Sequence, residues 1–248
     1  MIEMRNVSKS FDGKKVLEDI NLTIGDGSTT VIIGGSGQGK SVILKHIIGL
    51  LKPDEGAVLY NGKDISKISE MELNEVRKEF GFLFQFAALF DSMTVEENVA
   101  FPLKENTKMS KSEIDGIVRE RLLDVGLKDV EKKMPSELSG GMQRRVGLAR
   151  ALAMSPKTII YDEPTTGLDP ILSDTINTLI RDTQKKFGVT SIVSSHDIPG
   201  LYKIADKVAL LHDRKIHFVG TIDELKNCKD EYVIQFLSGS SEGPVKVI

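Results

Sequence analysis

Alternation of apolar and polar positions predicts strands in the first part of the chain. Within the first 25 residues, apolar side chains recur among polar neighbours at Val16, Ile20, Leu22 and Ile24, as in antiparallel strands. A β-branched run at 29–35 ends in glycines and predicts a buried strand. Later apolar runs predict further strands, at 158–161, 189–194 and 208–211.

Helical patterns fill much of the remaining chain. A helix is predicted from Lys40 to Leu51, where "KPDEG" stops it. Ser/Thr-x-x-Glu capping boxes predict three more helix starts, at Ser69 with Glu72, Thr94 with Glu97 and Ser110 with Glu113. Only helical patterns occur between 92 and 155, and the last eleven residues read as a loose tail. The layout is a β-rich edge, an α/β core and a helical insertion.

The stretch "EFGFLFQFAALF" at 79–90 holds five of the ten phenylalanines. Four of them, at 80, 82, 84 and 86, fall at every second position and predict a buried strand. Gln85 interrupts this run. The residues that follow stay apolar without alternating, so we expect Phe86 to be buried and the others to form an exposed patch for a partner helix: Ala87, Ala88, Leu89, Phe90 and Met93.

Composition narrows the classes of protein. Among 248 residues, 33 Lys and Arg face 36 Asp and Glu, giving a net charge of −3, which argues against a nucleic-acid partner. One cysteine, Cys228, favours a reducing compartment. The charged N-terminal residues argue against a signal peptide, and no apolar run reaches the roughly 18 residues of a membrane span. If this protein works at a membrane, we expect something other than its own chain to hold it there.

The segment "GGSGQGKS" at 34–41 matches the phosphate-loop pattern G-x-x-x-x-G-K-[ST]. A predicted strand precedes it and a predicted helix follows, so backbone N–H groups and the helix N-terminus would face phosphate oxygens. Lys40 would meet the β- and γ-phosphates, and the Ser41 hydroxyl would bind Mg²⁺. The alternative is a glycine-rich turn with an exposed lysine. The pattern and its context favour a nucleoside-triphosphate site.

Three further residues follow predicted strands. Asp162 and Glu163 end the 158–161 run, where Asp162 could hold Mg²⁺ through water and Glu163 could polarise an attacking water. The alternative is that this acid pair caps the next helix. His196 follows the 189–194 run and is either a solvated loop residue or part of the same site. The upstream phosphate loop favours the functional interpretation of all three.

The segment "LSGGMQRRVGLARAL" at 138–152 decides the class. Its serine and glycines could bind an anion at a helix N-terminus, whereas Arg144, Arg145 and Arg150 could simply form a solvated face. Together with the phosphate loop and the "DEP" strand, it resembles the ATPase subunits of ABC transporters over essentially the whole chain. The resemblance implies an α/β P-loop NTPase fold: a RecA-like core with an antiparallel β subdomain, an α-helical signature subdomain and a tail. Its boundaries would be 1–85 and 156–230 for the core with the β subdomain, 86–155 for the helical subdomain and 231–248 for the tail.

The resemblance also assigns roles within one ABC ATPase domain. Glu163, His196 and Gln85 would be catalytic. Mg²⁺ would be bound by Ser41, Gln85 and Asp162. The residues that would bind ATP are Phe11, Val16, Gly34, Gly35, Ser36, Gly37, Gln38, Gly39, Lys40, Ser41, Val42, Ser139, Gly140, Gly141, Gln143 and Asp169. Phe11 stands where the family commonly has tyrosine, which keeps base stacking and loses a hydroxyl contact.

Three stretches resemble a narrower group, the MlaF-type subunits of Mce-linked lipid systems: 84–103, 134–142 and 235–245. This implies an ATPase homodimer at the cytoplasmic face of the inner membrane, powering phospholipid transport with a permease and an MCE-domain lipid-binding protein. A small regulatory subunit remains open. The alternatives are an amino-acid or metal importer subunit, a soluble ABC-type ATPase acting on nucleic acid or ribosomes, and a nucleotide-binding module without turnover.

Overall fold

The computed structural model describes residues 1–245. The strands in this part of the chain are β1 (Ile2–Phe11), β2 (Lys14–Ile24), β3 (Thr29–Ile33), β4 (Glu55–Tyr60), β5 (Lys63–Asp64), β6 (Phe80–Leu83), β7 (Thr158–Asp162), β8 (Thr190–Ser195), β9 (Lys207–His212) and β10 (Lys215–Thr221). The helices are α1 (Lys40–Ile47), α2 (Glu70–Arg77), α3 (Val95–Asn106), α4 (Lys111–Asp124), α5 (Gly140–Leu152), α6 (Pro170–Phe187), α7 (Ile198–Ile204), α8 (Ile222–Lys226) and α9 (Glu231–Ser238). None of these helices has the length and apolar character needed to cross a bilayer, for residues 1–245.

The chain forms two compact units. Unit 1 comprises 1–69 together with the chain from Ser194 onward, and unit 2 comprises 70–193. This division follows contact density and differs from the subdomain boundaries expected from the family resemblance. Those functional boundaries stay a prediction.

Unit 1 contains a four-stranded antiparallel sheet in the order β2-β1-β4-β5. The alternation predicted for the first 25 residues is confirmed at Ile20, Leu22 and Ile24, which are buried on one face, but not at Val16, which is half-buried beside the fully buried Leu17. The unit also holds β3 parallel to β9, and β9 antiparallel to β10. All five residues of β3 are buried, as its β-branched run predicted.

Unit 2 packs α3, α4 and α5 beside the parallel pair β6 and β7. Two predicted capping boxes are present, at Thr94 with Glu97 and at Ser110 with Glu113. In each box the hydroxyl accepts the glutamate N–H and the glutamate carboxylate accepts the N-cap N–H. Two backbone N–H groups that the helix itself cannot pair therefore have acceptors. The helical interpretation of 92–155 is confirmed.

Two predicted elements are shorter than the sequence suggested. Helix α1 ends at Ile47 rather than Leu51, because Gly49 adopts a left-handed backbone with φ +65°. Strand β6 ends at Leu83, and its buried residues are Gly81 and Leu83.

The prediction of a buried phenylalanine face was therefore wrong. Alternation was read correctly, but the phenylalanines occupy the less buried face of β6. Phe84 is 43% exposed and Phe86 is 70% exposed. Ala87, predicted to be exposed, is fully buried.

The predicted loose tail is attached in its described part. The buried Gln235 side chain of α9 donates to the Ser240 and Val245 carbonyls and accepts the Val245 N–H. An amide side chain can donate and accept at once, so it substitutes for a backbone partner. Residues 246–248 of the predicted tail lie outside the described residues.

A buried asparagine holds the chain between β6 and α3. The Asn98 amide nitrogen donates to the carbonyls of Phe90, Met93 and Thr94, and its Oδ1 accepts the Phe90 N–H at 2.8 Å. The side chain is fully buried, so these backbone groups depend on it in place of water. Asn98 therefore fixes the segment 90–94.

We expect Asn98→Ala to lower the free energy of unfolding by about 2 kcal/mol or more, because buried backbone groups lose their partners. Denaturant unfolding measures the change. Asn106→Ala is the matched control in the same helix, since the exposed Asn106 makes one bond, to the Pro102 carbonyl. Equal, small effects of both substitutions would contradict this role for Asn98.

Candidate nucleotide-binding site

The phosphate loop leaves the buried strand β3 through a backbone conformation that requires glycine. Gly34 has φ +155°, and a Cβ built there would lie 2.5 Å from the Leu211 carbonyl oxygen. A side chain at this position would collide with the backbone of the neighbouring strand. Sequence and packing thus both demand a glycine where the loop begins.

The start of α1 differs from the starts of α3 and α4. Gly39 is its N-cap, with φ +107°, and among residues 1–245 no side chain caps this helix and no acidic residue lies in its first turn. Helices α3 and α4 carry both features. An N-terminus without a side-chain acceptor or a negative charge suits an incoming anion such as phosphate. The loop therefore fits a nucleoside triphosphate.

Lys40 lies inside this loop. Its side chain is buried, and its ammonium donates to the carbonyls of Gly34 at 2.9 Å and Gly35 at 3.2 Å. The alternative of an exposed lysine on a glycine-rich turn is wrong. Val16 lies against the loop too, with its Cγ1 3.2 Å from the position of a Cβ at Gly39.

Two other predicted residues of unit 1 are exposed. Phe11 ends β1 with 40% of its surface exposed, beneath the Lys9 ammonium at 5.6 Å from the ring centroid. His196 directly follows β8 and is exposed. Both side chains are accessible to a ligand.

In unit 2, the acid pair ends strand β7. Asp162 and Glu163 are half-buried, and Glu163 has a left-handed backbone with φ +50°. Thr166 donates its hydroxyl to Glu163 Oε2 at 3.1 Å. The alternative that this pair caps the next helix is wrong, because Asp169 caps α6 by accepting the N–H groups of Ile171 and Leu172. Neither carboxylate of the pair caps α6.

The signature segment forms the start of α5. Ser139 is its N-cap and accepts the Met142 N–H. Ser139 and Gly140 are exposed and Gly141 is buried. The Gln143 amide donates to the carbonyls of Pro135 and Leu138, so this side chain fixes the residues that lead into the Ser139 N-cap. An exposed N-cap backed by such support suits contact with an anion.

The arginines of α5 are not a solvated face. Arg144 is 6% exposed and donates to the carbonyls of Gly140 and Thr166. Arg145 donates to the Val125 carbonyl at 3.1 Å. Desolvation lowers the pKa of Arg144 from its ordinary value. The sequence contained one missed signal, since Arg144 shares a helical face with the buried Leu148 and Ala151.

The turn after Gln85 is held by the other end of α5. Ala87 and Ala88 both have positive φ, of 61° and 44°, which alanine adopts rarely. Arg150 donates to the carbonyls of both residues, at 2.6 and 2.8 Å. Gly147 lets α5 approach, since a Cβ there would lie 2.8 Å from Leu83. Gln85 itself is half-buried at the entrance to this turn.

An apolar groove of about 420 Å³ lies beside the turn. Its aromatic lining residues are Phe80, Phe82, Phe84, Phe90 and Phe101. The Phe90 and Phe101 rings are 4.8 Å apart, and Arg150 lies 5.9 Å from the Phe90 ring centroid. The exposed face of β6 is thus the floor of a groove.

Comparison with known proteins places these features in context. The family model described as "ABC transporter" matches residues 17–166. The intermembrane phospholipid transport system ATP-binding protein MlaF of Haemophilus influenzae is 43% identical, over 99% of this chain and 93% of its own length. A probable ribonucleotide transport ATP-binding protein, mkl, of Mycobacterium bovis is also 43% identical, over 98% of this chain and 68% of its own. A solved dimeric ATP-binding cassette bound to ADP and Pi, in a post-hydrolysis state, matches with a TM-score of 0.82 and 32% identity, over 90% of this chain and 99% of its own. The fold is that of an ABC ATPase cassette.

We expect Lys40→Ala to reduce ATP hydrolysis about 100-fold or more, because the phosphates lose the ammonium inside the loop. Phosphate release by the purified complex measures this rate. Lys45→Ala is the matched control, as it removes an exposed lysine from the last turn of the same helix. Wild-type turnover by Lys40→Ala would remove this lysine from the site.

Proposed function

The chain belongs to the ABC transporter family, and we propose that it is the ATP-hydrolysing subunit of a transporter that moves phospholipid across the cell envelope. The observation that carries the substrate class is the identity to MlaF of Haemophilus influenzae, 43% over 99% of this chain. The phosphate loop, the acid pair and the signature segment supply the parts that ATP hydrolysis needs.

Binding of the nucleotide falls to unit 1 in this proposal. The N–H groups of the loop 34–41 and the Lys40 ammonium bind the phosphates, and Phe11 stacks on the base with Val16 beside it. Ser41, Gln85 and Asp162 would hold Mg²⁺, whose positive charge offsets the charge of the phosphates. Oxygen donors of this kind suit Mg²⁺, which uses few protein ligands when phosphates complete its coordination.

Hydrolysis falls to Glu163. Its carboxylate accepts a proton from water as the water oxygen bonds to the γ-phosphorus and the bond to the β–γ bridging oxygen breaks. The products are ADP and inorganic phosphate. His196 would donate to the γ-phosphate and stabilise its developing charge.

Each complete site would need two copies of the chain. Ser139, Gly140 and Gly141 would face the γ-phosphate bound by the partner copy, with Gln143 supporting them and Asp169 beside the partner's site. The dimeric state of the related cassette that holds ADP and Pi supports this arrangement. Closure of the two copies would exclude water and complete the charges around the phosphate.

The groove on unit 2 is the proposed contact with a permease. Its aromatic lining and its position beside Gln85 suit an amphipathic helix that senses the nucleotide site through the turn. An MCE-domain lipid-binding protein would complete the system. The chain would then work as a peripheral subunit at the cytoplasmic face of the inner membrane.

A second candidate substrate class comes from the mkl relative, named for ribonucleotide transport. Its identity equals that of MlaF, but this chain spans less of its length. ATP hydrolysis by the purified transporter distinguishes the two. We expect phospholipid vesicles to change the rate and ribonucleotides other than ATP to have no effect, and the opposite result would overturn the lipid assignment.

We expect Glu163→Gln to keep ATP binding within about threefold of wild type and to slow hydrolysis about 100-fold or more, because the amide keeps the shape but accepts protons poorly. Nucleotide affinity and phosphate release measure the two effects. Glu137→Gln is the control, an exposed glutamate outside the acid pair. Normal hydrolysis by Glu163→Gln, or loss of its ATP binding, would exclude this role.

We expect Phe90→Asp to weaken co-purification with the permease at least about tenfold, because a carboxylate would be desolvated in an apolar groove. Phe90 is 41% exposed, so the fold should tolerate the change, and ATP affinity should stay the same. Co-expression and affinity capture of the permease measure assembly.

Phe86→Asp is the matched control for Phe90→Asp. Phe86 lies four residues away, is 70% exposed and does not line the groove. It should leave assembly unchanged. Loss of assembly with both variants, or with neither, would exclude the groove as the docking site, and a collapse in melting temperature of Phe90→Asp alone would make Phe90 a core residue.

A further inference from the structure

A buried arginine connects the signature segment to the catalytic glutamate. Arg144, five residues after Ser139 on α5, donates hydrogen bonds to two segments of unit 2. Its Nη1 donates to the Gly140 carbonyl at 3.3 Å, and its Nη2 donates to the Thr166 carbonyl. With 6% of its surface exposed, the side chain has a fixed position between the two segments.

Thr166 carries the connection on to Glu163. Its hydroxyl donates to Glu163 Oε2 at 3.1 Å, and its N–H donates to the Glu163 carbonyl at 3.2 Å. Glu163 has the uncommon φ of +50°, so this short segment must be held by its surroundings. A shift of Gly140 would therefore be passed to the Glu163 carboxylate through two side chains.

We propose that Arg144 is a positioning residue through which the signature segment 139–141 sets the orientation of the Glu163 carboxylate. This inference rests on the proposed function. In the proposed dimer, the signature segment of one copy faces the partner's nucleotide, whereas Glu163 serves the nucleotide on its own phosphate loop. Arg144 thereby makes hydrolysis at one site depend on occupancy of the other.

The chemistry of the side chain suits this task. A guanidinium has several N–H donors in a rigid plane, so it can bond two carbonyls that face it from different segments. Lysine has a single ammonium on a flexible stem and would hold at most one of them well. Arg145, the next residue on α5, donates instead to the Val125 carbonyl at the end of α4 and, within residues 1–245, makes no hydrogen bond to the 163–169 segment.

Mixed dimers test the coupling. Chains with Lys40→Ala, whose loss of ATP binding is first checked by nucleotide affinity, are co-expressed in increasing proportion with competent chains, and ATP hydrolysis is measured on the transporter complex. With coupling, one defective site also silences its neighbour. A half share of defective chains then leaves about a quarter of the rate, whereas independent sites leave about half.

At a half share of Lys40→Ala chains, we expect about a quarter of the hydrolysis rate to remain in the wild-type background and about half in the Arg144→Met background. Each rate is normalised to that of the same background without Lys40→Ala chains. Arg145→Met should follow the wild type. Arg144→Lys keeps the buried charge and side-chain length, and it should also give the half. It replaces Arg144→Met if the methionine variant melts below the assay temperature.

Two results would overturn the inference. One is a remaining hydrolysis rate of a quarter in both Arg144 variants, which would make Arg144 a structural residue only. The other is a remaining hydrolysis rate of a half in the wild type, which would mean that the two sites are not coupled. Failure of the proposed function is distinguishable from both, because the wild-type complex would then hydrolyse no ATP.

Discussion

Hydrogen bonds from α5 arginines to backbone carbonyls are the constraint on which unit 2 depends. Arg150 holds the carbonyls of Ala87 and Ala88, and Arg144 holds those of Gly140 and Thr166. Two of the accepting residues, Ala87 and Ala88, have the uncommon positive φ, and Thr166 lies three residues after Glu163, which has it too. One helix thus holds three segments to which the proposed function assigns a role: the signature, the loop after Glu163 and the turn after Gln85.

In unit 1, the main constraint is that the backbone of the phosphate loop must come close to a phosphate. Gly34 and Gly39 adopt positive φ, and the Lys40 ammonium lies within the loop that they shape. Helix α1 begins without a side-chain cap, within the described chain, whereas the helices at Thr94 and Ser110 begin with full capping boxes. A bound anion would supply the interactions that capping side chains supply to the other two helices.

Sequence predicted the features that are encoded locally. The capping boxes at Thr94 and Ser110 need residues three apart, and the phosphate loop needs eight consecutive ones, so both could be read directly. The phenylalanines show the limit, because alternation gives a period and not which face other elements cover. Arg144 is a second example of this limit, because its burial depends on a segment 22 residues away along the chain. The acid pair was placed correctly at the end of β7, while the helix cap proved to be Asp169.

In the proposed function, ATP hydrolysis by this chain powers phospholipid movement. Its most direct test is the transfer of a fluorescent phospholipid between vesicles by the reconstituted transporter, compared in ATP and in a non-hydrolysable ATP analogue. We expect transfer with ATP and none above background with the analogue. Equal transfer in both, or ATP hydrolysis that leaves every phospholipid in place, would contradict it.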